Sequence, residues 1–389
     1  MRVLYIVAVV LLLSVSAFAG NTVRGPGGQA SSLPEGGGGA ILSLDVWKNI
    51  QEGEDSNFRA GFEAVLGTAK ITDVLGRSMT SKKLLHVLPY LDYVKKLDDD
   101  FAFFVNLYAK DAQGFAFEKN FEQWGFDTEA LIARINVGVG LSWKVDDVWT
   151  LALEADIGVE QLKLDYAFDI NRFYLPILAK SRAYGIGIGA TGAVICQATE
   201  RLRLGLQVSS LMNIYCKGRT KLLRGKVSDT WTAEMPFPMS VTAAGSYQLT
   251  DRLGVCADVS WYDFKDDPLI LKFNHWGFSK PLELGFGGVV AVRGGFNYQA
   301  TDWLKFRVGG GWMTQGVDQK YADSTTTDFP GWYGALGFTA QVTGSIDISV
   351  AYTHAEGHSQ EQSILPGILP GSKIEGGIET LMIEGCWKF

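Results

Sequence analysis

The sequence lacks any long hydrophobic run after its first 19 residues. A helix that crosses a membrane needs about 20 consecutive, mostly apolar residues. The longest weakly polar stretch, Gly185–Cys196, is shorter than this and is rich in glycine. The sequence therefore excludes a helical membrane anchor in the mature chain. It leaves open a membrane-spanning β-barrel, whose strands give a much weaker signal.

Basic residues and cysteine are also scarce. The 389 residues contain 35 Lys and Arg against 42 Asp and Glu, so no basic excess indicates nucleic-acid binding. The four cysteines are too few and too irregularly spaced for a disulfide scaffold, and we expect them to be mostly unpaired. They are Cys196, Cys216, Cys256 and Cys386.

The sequence also lacks the motifs of common catalytic and metal sites. His354 and His358 are four residues apart, but their segment reads as a strand end and a loop, so no helical metal pair is expected. No nucleophile elbow occurs, and the glycines at 185, 187 and 189 alternate along a strand instead of opening a helix. We predict no catalytic residue, no metal and no cofactor, and hence a protein that is not an enzyme.

The amino terminus has the organisation of a secretory signal peptide. Arg2 precedes an apolar segment, Val3–Leu13, and Ala17-Phe18-Ala19 is a cleavage site of small residues around one large residue. We assign residues 1–19 to the signal peptide and expect the mature chain to start at Gly20.

The rest of the chain is rich in glycine and aromatic residues, and it carries a repeated turn. Gln197–Leu202 returns as Gln248–Leu253 and as Gln299–Leu304, each time after 51 residues, and Gln341–Ile346 is a degenerate copy. Looser turns occur at residues 96–100 and 144–147. Alternating apolar residues flank every turn, which is the pattern of two strands joined by a hairpin. Six short turns join twelve strands, and one strand at each end makes fourteen.

The strand pattern predicts a membrane barrel with short periplasmic turns and longer external loops. Along 201–209, four aliphatic residues share one face and Arg, Gly, Gln and Ser share the other. Aromatic residues of the apolar face concentrate near both strand ends, as membrane girdles do. They are Trp143, Tyr247, Tyr298 and Trp387 near the short turns, and Trp261, Trp312, Trp332 and Tyr352 near the long loops. A soluble sandwich with ordinary strand aromatics is the alternative.

With these features the sequence resembles the FadL-type outer-membrane transporters of long-chain fatty acids and aromatic hydrocarbons. The resemblance is strongest from Val292 to His354, is weaker upstream, and covers about residues 85–389. It implies a fourteen-stranded barrel with an amino-terminal plug and a kinked third strand that opens the wall sideways. Carried over to this chain, the lateral opening falls near Asn106, Tyr108 and Gly114.

The amino-terminal region departs from that family, because it has no Asn-Pro-Ala motif before the first strand. If Ala40–Asn49 is the first strand, the barrel spans residues 40–389. Residues 20–39 are then a short Gly-rich segment that is at most a reduced plug. If Phe58–Leu66 is the first strand instead, a fuller plug fits. The sequence does not decide between these two arrangements.

Two groups of residues are candidates for ligand binding. Arg293, Lys305 and Arg307 lie on the polar face, and pairing about the turn at Thr301 is expected to bring Arg293 near Arg307, where they can hold a carboxylate. The alternative is a structural ion pair of Arg293 with Asp258, and Arg134 is expected to pair with Glu160 in the same way.

The second group is an apolar loop groove, or else a cap over the barrel. It contains Phe168, Phe173, Tyr174, Leu175, Ile177 and Leu178.

We therefore expect an outer-membrane channel for passive uptake of hydrophobic small molecules, most of all long-chain fatty acids or similar lipophilic compounds. The expected partners are that ligand, outer-membrane lipid and lipopolysaccharide, with no nucleic acid, and the expected state is a monomer. The alternatives are a general diffusion porin and a structural or adhesive barrel.

Overall fold

The structure is a computed structural model. It describes residues 55–120, 126–169, 176–222, 225–263, 269–275, 277, 279–282, 287–316, 331–360 and 371–389. All regular elements in these ranges are strands, which form one antiparallel sheet. No helix in the described part of the chain is long and apolar enough to cross a membrane.

Fourteen barrel strands follow one another in chain order, four of them in two pieces. The strands are β1 Ser56–Thr72, β2 Leu84–Lys96, β3 Phe101–Asn120, β4 Phe126–Lys144, β5 Trp149–Asp169, β6 Pro176–Gln197, β7 Leu202–Ser209 with Met212–Leu222, β8 Val227–Phe237 with Met239–Thr250, β9 Leu253–Asp263 with Leu269–Phe273, β10 Ser279–Leu282 with Gly288–Thr301, β11 Leu304–Met313, β12 Gly331–Thr343, β13 Ile346–Gln360 and β14 Lys373–Lys388. A short strand, Ser78–Thr80, pairs with the end of β1.

The sheet closes on itself. β1 pairs with β14 from Asn57 opposite Lys388 to Thr72 opposite Lys373, and with β2 on its other side. The prediction of a fourteen-stranded barrel is confirmed. The first strand of the closed barrel includes Phe58–Leu66, as in the second arrangement considered above. The predicted Gly-rich segment 20–39 and Ala40–Asn49 lie outside the described residues.

The repeated turn has a repeated set of hydrogen bonds. The side-chain amides of Gln197, Gln248 and Gln299 each donate to the backbone carbonyl of the threonine two residues later, at 2.7 Å. In the first two copies the hydroxyl of that threonine accepts the backbone N–H of the leucine three residues on. Side chains that bond their own turn in this way fix its geometry. All six predicted short turns join neighbouring strands.

The wall has its apolar residues outside and its carboxylates inside. On β5, Leu153 is 66% exposed and Ile157 is 43% exposed, whereas Glu154, Asp156 and Glu160 are at most 2% exposed. Burying carboxylates while exposing leucine is unfavourable in water but favourable in hydrocarbon. The outer surface is therefore built for a bilayer, which excludes the soluble sandwich.

The aromatic residues expected at the two membrane interfaces point outward. Trp143, Tyr247 and Tyr298 lie near the short turns and are 42–47% exposed. Trp261, Trp312, Trp332 and Tyr352 lie near the long loops and are 40–52% exposed. The two rows bound the apolar band, as aromatic girdles do in membrane barrels.

Ile157→Arg should destabilise the barrel by roughly 2–4 kcal/mol, because it places a charge near the middle of the apolar band. Val148→Arg is the matched control, since Val148 is equally exposed but lies in a short turn. Its cost should be about 0–1 kcal/mol. Urea unfolding in lipid vesicles measures both, and equal costs would contradict the assigned bilayer position.

Candidate functional site

Strands β2 and β3 part halfway up the wall. Their ladder runs from Lys96 opposite Ala102 to Leu91 opposite Leu107 and contains six residue pairs. Beyond it, β2 stays paired with β1 as far as Leu84, and β3 stays paired with β4 as far as Asn120. The edges of β2 and β3 that face each other between these points have no ladder in the described structure. We call this stretch the wall gap.

A β-bulge in β3 marks the start of the wall gap. The pairing of β3 with β4 shifts register between Ala109 and Asp111, just above the last pair with β2. An extra residue on one strand bends it and increases its twist. The bulge therefore turns β3 away from β2, which continues straight along β1.

The wall gap ends near the long loops, where the chain before β2 returns to β3. Ser81 bridges to Phe117, and the backbone N–H of Lys82 donates to the carbonyl of Ala116 at 2.7 Å. The Lys82 ammonium lies 3.0 Å from the Glu118 carboxylate, and this hydrogen bond raises the pKa of Lys82. The gap is thus a window with a defined upper border.

Two tyrosines form the lower border on the lumen side. Tyr90 and Tyr108 are the first inward residues above the last β2–β3 pair, and both are buried. They pack together with Ala351 and Met382. The Tyr90 hydroxyl donates to the Glu384 carboxylate at 2.8 Å, which fixes the ring in place.

Just below this layer, Asn106 is held by the neighbouring strands. Its amide donates to Glu154 at 2.6 Å, and its carbonyl oxygen accepts the backbone N–H of Gly138 at 3.0 Å. A Cβ at position 138 would lie 2.4 Å from both the Asn106 and the Glu154 oxygens, so only glycine fits there. Asn106 thus links β3 to β4 and β5 just beneath the gap.

The three residues predicted for the lateral opening all lie at or next to the wall gap. Asn106 pairs with Asp92 within the last two pairs, and Tyr108 follows the last pair. Gly114 lies on the part of β3 that faces the gap and pairs with Leu131 on its other side.

Two clusters of apolar side chains face the lumen between the gap and the long loops, beside buried polar groups such as Arg134 and Glu160. One cluster behind the gap contains Leu88, Phe115 and Phe117 with Val65 and Leu131. A second cluster lies on the inner faces of β5–β9. It contains Leu162, Ala183, Met212, Ile214, Cys216, Trp231, Ala233, Met235, Phe237 and Leu271.

Inward glycines make room for the second cluster. A Cβ at Gly185 would lie 2.4 Å from the Cys216 sulfur, and one at Gly218 would lie 2.4 Å from the Trp231 ring. The alternating glycines of β6 therefore serve packing, which explains a pattern that could not be explained from the sequence. All four cysteines are free thiols.

The predicted apolar loop groove overlaps strands instead of a loop. Phe168 of β5 pairs with Ile177 of β6, and Leu178 pairs with Ala167. The pairing of β5 with β6 continues through this segment to Asp169 opposite Pro176, so both strands extend well beyond the apolar band. Phe173, Tyr174 and Leu175 lie outside the described residues. The structure describes the backbone of Phe168, Ile177 and Leu178 but not the orientation of their side chains.

The three predicted cations do not form one cluster. Arg293 pairs with Gly311, whereas Arg307 pairs with Asn297, four residues nearer the short turns. The expected proximity of Arg293 and Arg307 is wrong because the turn is made by Asp302 and Trp303, which shifts the register. Four residues correspond to about 13 Å along a strand.

Arg293 is part of a buried ion pair. Its Nε donates to Asp258 at 2.6 Å and its guanidinium donates to Ser260 at 2.5 Å. The Asp258 side chain is fully buried and that of Arg293 is 10% exposed. Arg134 also bonds Glu160, as predicted, and both are buried.

Lys305 and Arg307 instead line a polar cavity of about 200 Å³ at the short-turn end. Arg307 donates to the Thr339 hydroxyl. The sequence reasoning missed Arg59, Glu384 and Lys388, which line the same cavity. Their inward position in alternating strands was the available signal. The cavity lies below the tyrosine layer, because Glu384 and Met382 are successive inward residues of β14.

No group of three or more His, Cys, Asp or Glu among the described residues could hold a metal ion. The described part of the barrel thus has three features of a candidate transport site. They are the wall gap, the apolar clusters behind it and a separate polar cavity.

Known proteins share this architecture. A FadL homologue of Pseudomonas aeruginosa matches with a TM-score of 0.75 and 16% identity over 86% of this chain and 90% of its own. The toluene transporter TodX of P. putida matches with a TM-score of 0.71 and 15% identity over 86% and 90%. The Ralstonia pickettii toluene transporter TbuX matches with a TM-score of 0.70 and 16% identity over 97% and 100%. At these identities the likeness shows the fold.

No curated protein matches the sequence. A family model does match, over residues 54–365, and its description is outer membrane protein transport protein (OMPP1/FadL/TodX). Members of that family are outer-membrane transport channels and not enzymes, as the sequence predicted. This chain belongs to the OMPP1/FadL/TodX family of outer membrane transport proteins.

Proposed function

We propose that the protein carries hydrophobic small molecules across the outer membrane by diffusion, and that it releases them sideways through the wall gap. The observation that carries this proposal is the parting of β2 and β3 beside an apolar lumen. A hydrophobic ligand gains about 0.8 kcal/mol for each CH₂ that it buries. The apolar clusters offer that gain, and the gap connects them with the bilayer.

The tyrosine layer supports a sideways path over a straight one. Tyr90, Tyr108 and Met382 lie between the apolar lumen and the polar cavity at the periplasmic end. An apolar ligand that moved down would have to enter a cavity lined by four cations, three carboxylates and several amides. Burial of an apolar group there yields little, so the gap is the favourable exit.

We further propose long-chain fatty acids, or similar lipophilic compounds, as the ligands. Lys305 and Arg307 line the polar cavity, where their positive charges would attract a carboxylate, whereas Arg293 is neutralised by Asp258. The similar proteins TodX and TbuX are toluene transporters. A monoaromatic hydrocarbon, which fits the apolar clusters and needs no cation, is therefore the second candidate ligand.

Deleting Lys110 should close the wall gap. The deletion removes the bulge residue and restores regular alternation, so β3 can pair with β2 above Leu107. Transfer of a fluorescent long-chain fatty acid into the membrane of barrel-containing vesicles should fall at least tenfold. Lys110→Ala, which keeps the bulge, is the control and should transfer normally. Normal transfer by a folded deletion variant would contradict the sideways path.

Replacing both Lys305 and Arg307 with Ala should weaken fatty-acid binding at least tenfold and leave toluene binding unchanged, because only the acid carries a charge. Tryptophan fluorescence of the purified barrel measures both affinities. Equal loss for the two ligands would reject a carboxylate site. Solute-independent swelling of vesicles would indicate a general porin.

Arg293→Ala should lower the free energy of unfolding by about 3–5 kcal/mol, because it leaves the Asp258 carboxylate buried without its cation. The double variant Arg293→Met, Asp258→Leu should recover most of that loss. Both should bind fatty acid and toluene in the same ratio as the parent protein does. Selective loss of fatty-acid binding would restore Arg293 as a ligand anchor.

A further inference from the structure

The outer surface of the barrel carries a groove that the transport path does not use. It lies at the extracellular end, spans the wall from β11 across β14 to β1, and has a volume of about 860 Å³. Its lining includes Gly377, which pairs with Thr68 of β1 on the outward face and carries no side chain, so the wall is lower there than at the two flanks. We call this feature the outer groove.

The outer groove lies at the level of the outer-leaflet headgroups. One flank is made by Trp312 and Trp332, which are 49% and 52% exposed and belong to the extracellular aromatic girdle. The other flank is made by Lys70 and Lys83, both exposed. Tryptophan at this level marks the boundary between hydrocarbon and headgroups, and lysine near the surface attracts anionic headgroups.

A histidine held between two carboxylates lies in the groove. His354 Nδ1 is 2.6 Å from Glu379, and its Nε2 is 3.0 Å from Glu356. Each ring nitrogen has a carboxylate as its neighbour, and this arrangement favours the protonated imidazole, which donates from both nitrogens. The Trp332 ring lies 5.9 Å from the His354 ring. The carboxylate oxygens keep capacity to accept further hydrogen bonds.

We propose that the outer groove binds the phosphorylated sugar headgroup of an outer-leaflet glycolipid, that is, of lipopolysaccharide. Lys70 and Lys83 supply cations for the phosphates. Glu356, Glu375 and Glu379 supply acceptors for sugar hydroxyl and amide groups. Trp312 and Trp332 supply flat apolar surfaces with a polar edge.

The mixture of charges is the reason for choosing a glycolipid over a simple anionic phospholipid. A phosphate alone would be repelled by three nearby carboxylates. A headgroup that carries both phosphates and many hydroxyl donors satisfies the cationic flank and the acidic floor together. This inference does not depend on the proposed transport path, because the lysine, glutamate and tryptophan side chains that it uses lie on the outer wall.

The test is titration of the purified full-length barrel in detergent with lipopolysaccharide, followed by native mass spectrometry. The double variant Lys70→Glu, Lys83→Glu and the single variant Trp332→Ala should each bind at least tenfold more weakly. The matched controls are Lys217→Glu on β7 and Trp261→Ala on β9, which are exposed at other places on the outer wall. They should bind like the parent protein.

Three results would overturn the proposal. The groove variants could bind lipopolysaccharide as well as the parent does, or the controls could lose binding equally. Phosphatidylglycerol could also bind as tightly as lipopolysaccharide, which would assign the groove to anionic lipids in general. Fatty-acid transfer should be unchanged in the Trp332→Ala variant, which separates this test from that of the proposed function.

Discussion

The structure depends on one constraint, which is that backbone hydrogen bonds inside a bilayer must be satisfied within the protein. Hydrocarbon offers no partner to an N–H or a carbonyl, so a sheet can cross a membrane only by closing on itself. The ladder between β1 and β14 achieves that closure. Against this background a stretch in which two neighbouring strands part is costly. The bulge, the upper bridge at Ser81 and the tyrosine layer together confine it to one window.

The same constraint divides the interior into two parts. Because the outer surface must be apolar, polar residues are placed inside, and they bond one another across the strands, as Asn106 does with Glu154. Nearer the long loops two apolar clusters face the lumen beside buried polar groups such as Arg134 and Glu160. A channel for polar solutes would be expected to keep its lumen polar throughout. The two apolar clusters are therefore the feature that distinguishes an uptake path for hydrophobic molecules from a porin.

Much of the fold follows from the sequence, because its rules are local. The Gln-x-Thr turns fix their own hydrogen bonds, and the alternation from 201 to 209 fixes the two faces of a strand. The pairing register of neighbouring strands was harder to predict from the sequence than the strands themselves. The turn is made by Asp302 and Trp303 instead of being centred on Thr301, so Arg293 pairs with Gly311 and not with a residue next to Arg307. The long apolar segment around Phe168 read as a loop because nothing local shows that its strands continue past the membrane.

The site was only partly visible in the sequence. A resemblance placed the lateral opening near Asn106, Tyr108 and Gly114, and the wall gap lies there. Its lower border was not foreseen, because Tyr90 and Met382 are 292 residues apart and meet only through barrel closure. The outer groove arises in the same way from side chains on several neighbouring strands, none of which signals a site alone.

The most direct measurement is photo-crosslinking of a diazirine-labelled long-chain fatty acid to the barrel in lipid vesicles, with the adducts located by mass spectrometry. The account predicts adducts on residues 84–91 and 107–117, which border the wall gap. Adducts confined to the periplasmic cavity, on residues 299–307 and 339–349, would contradict release through the wall.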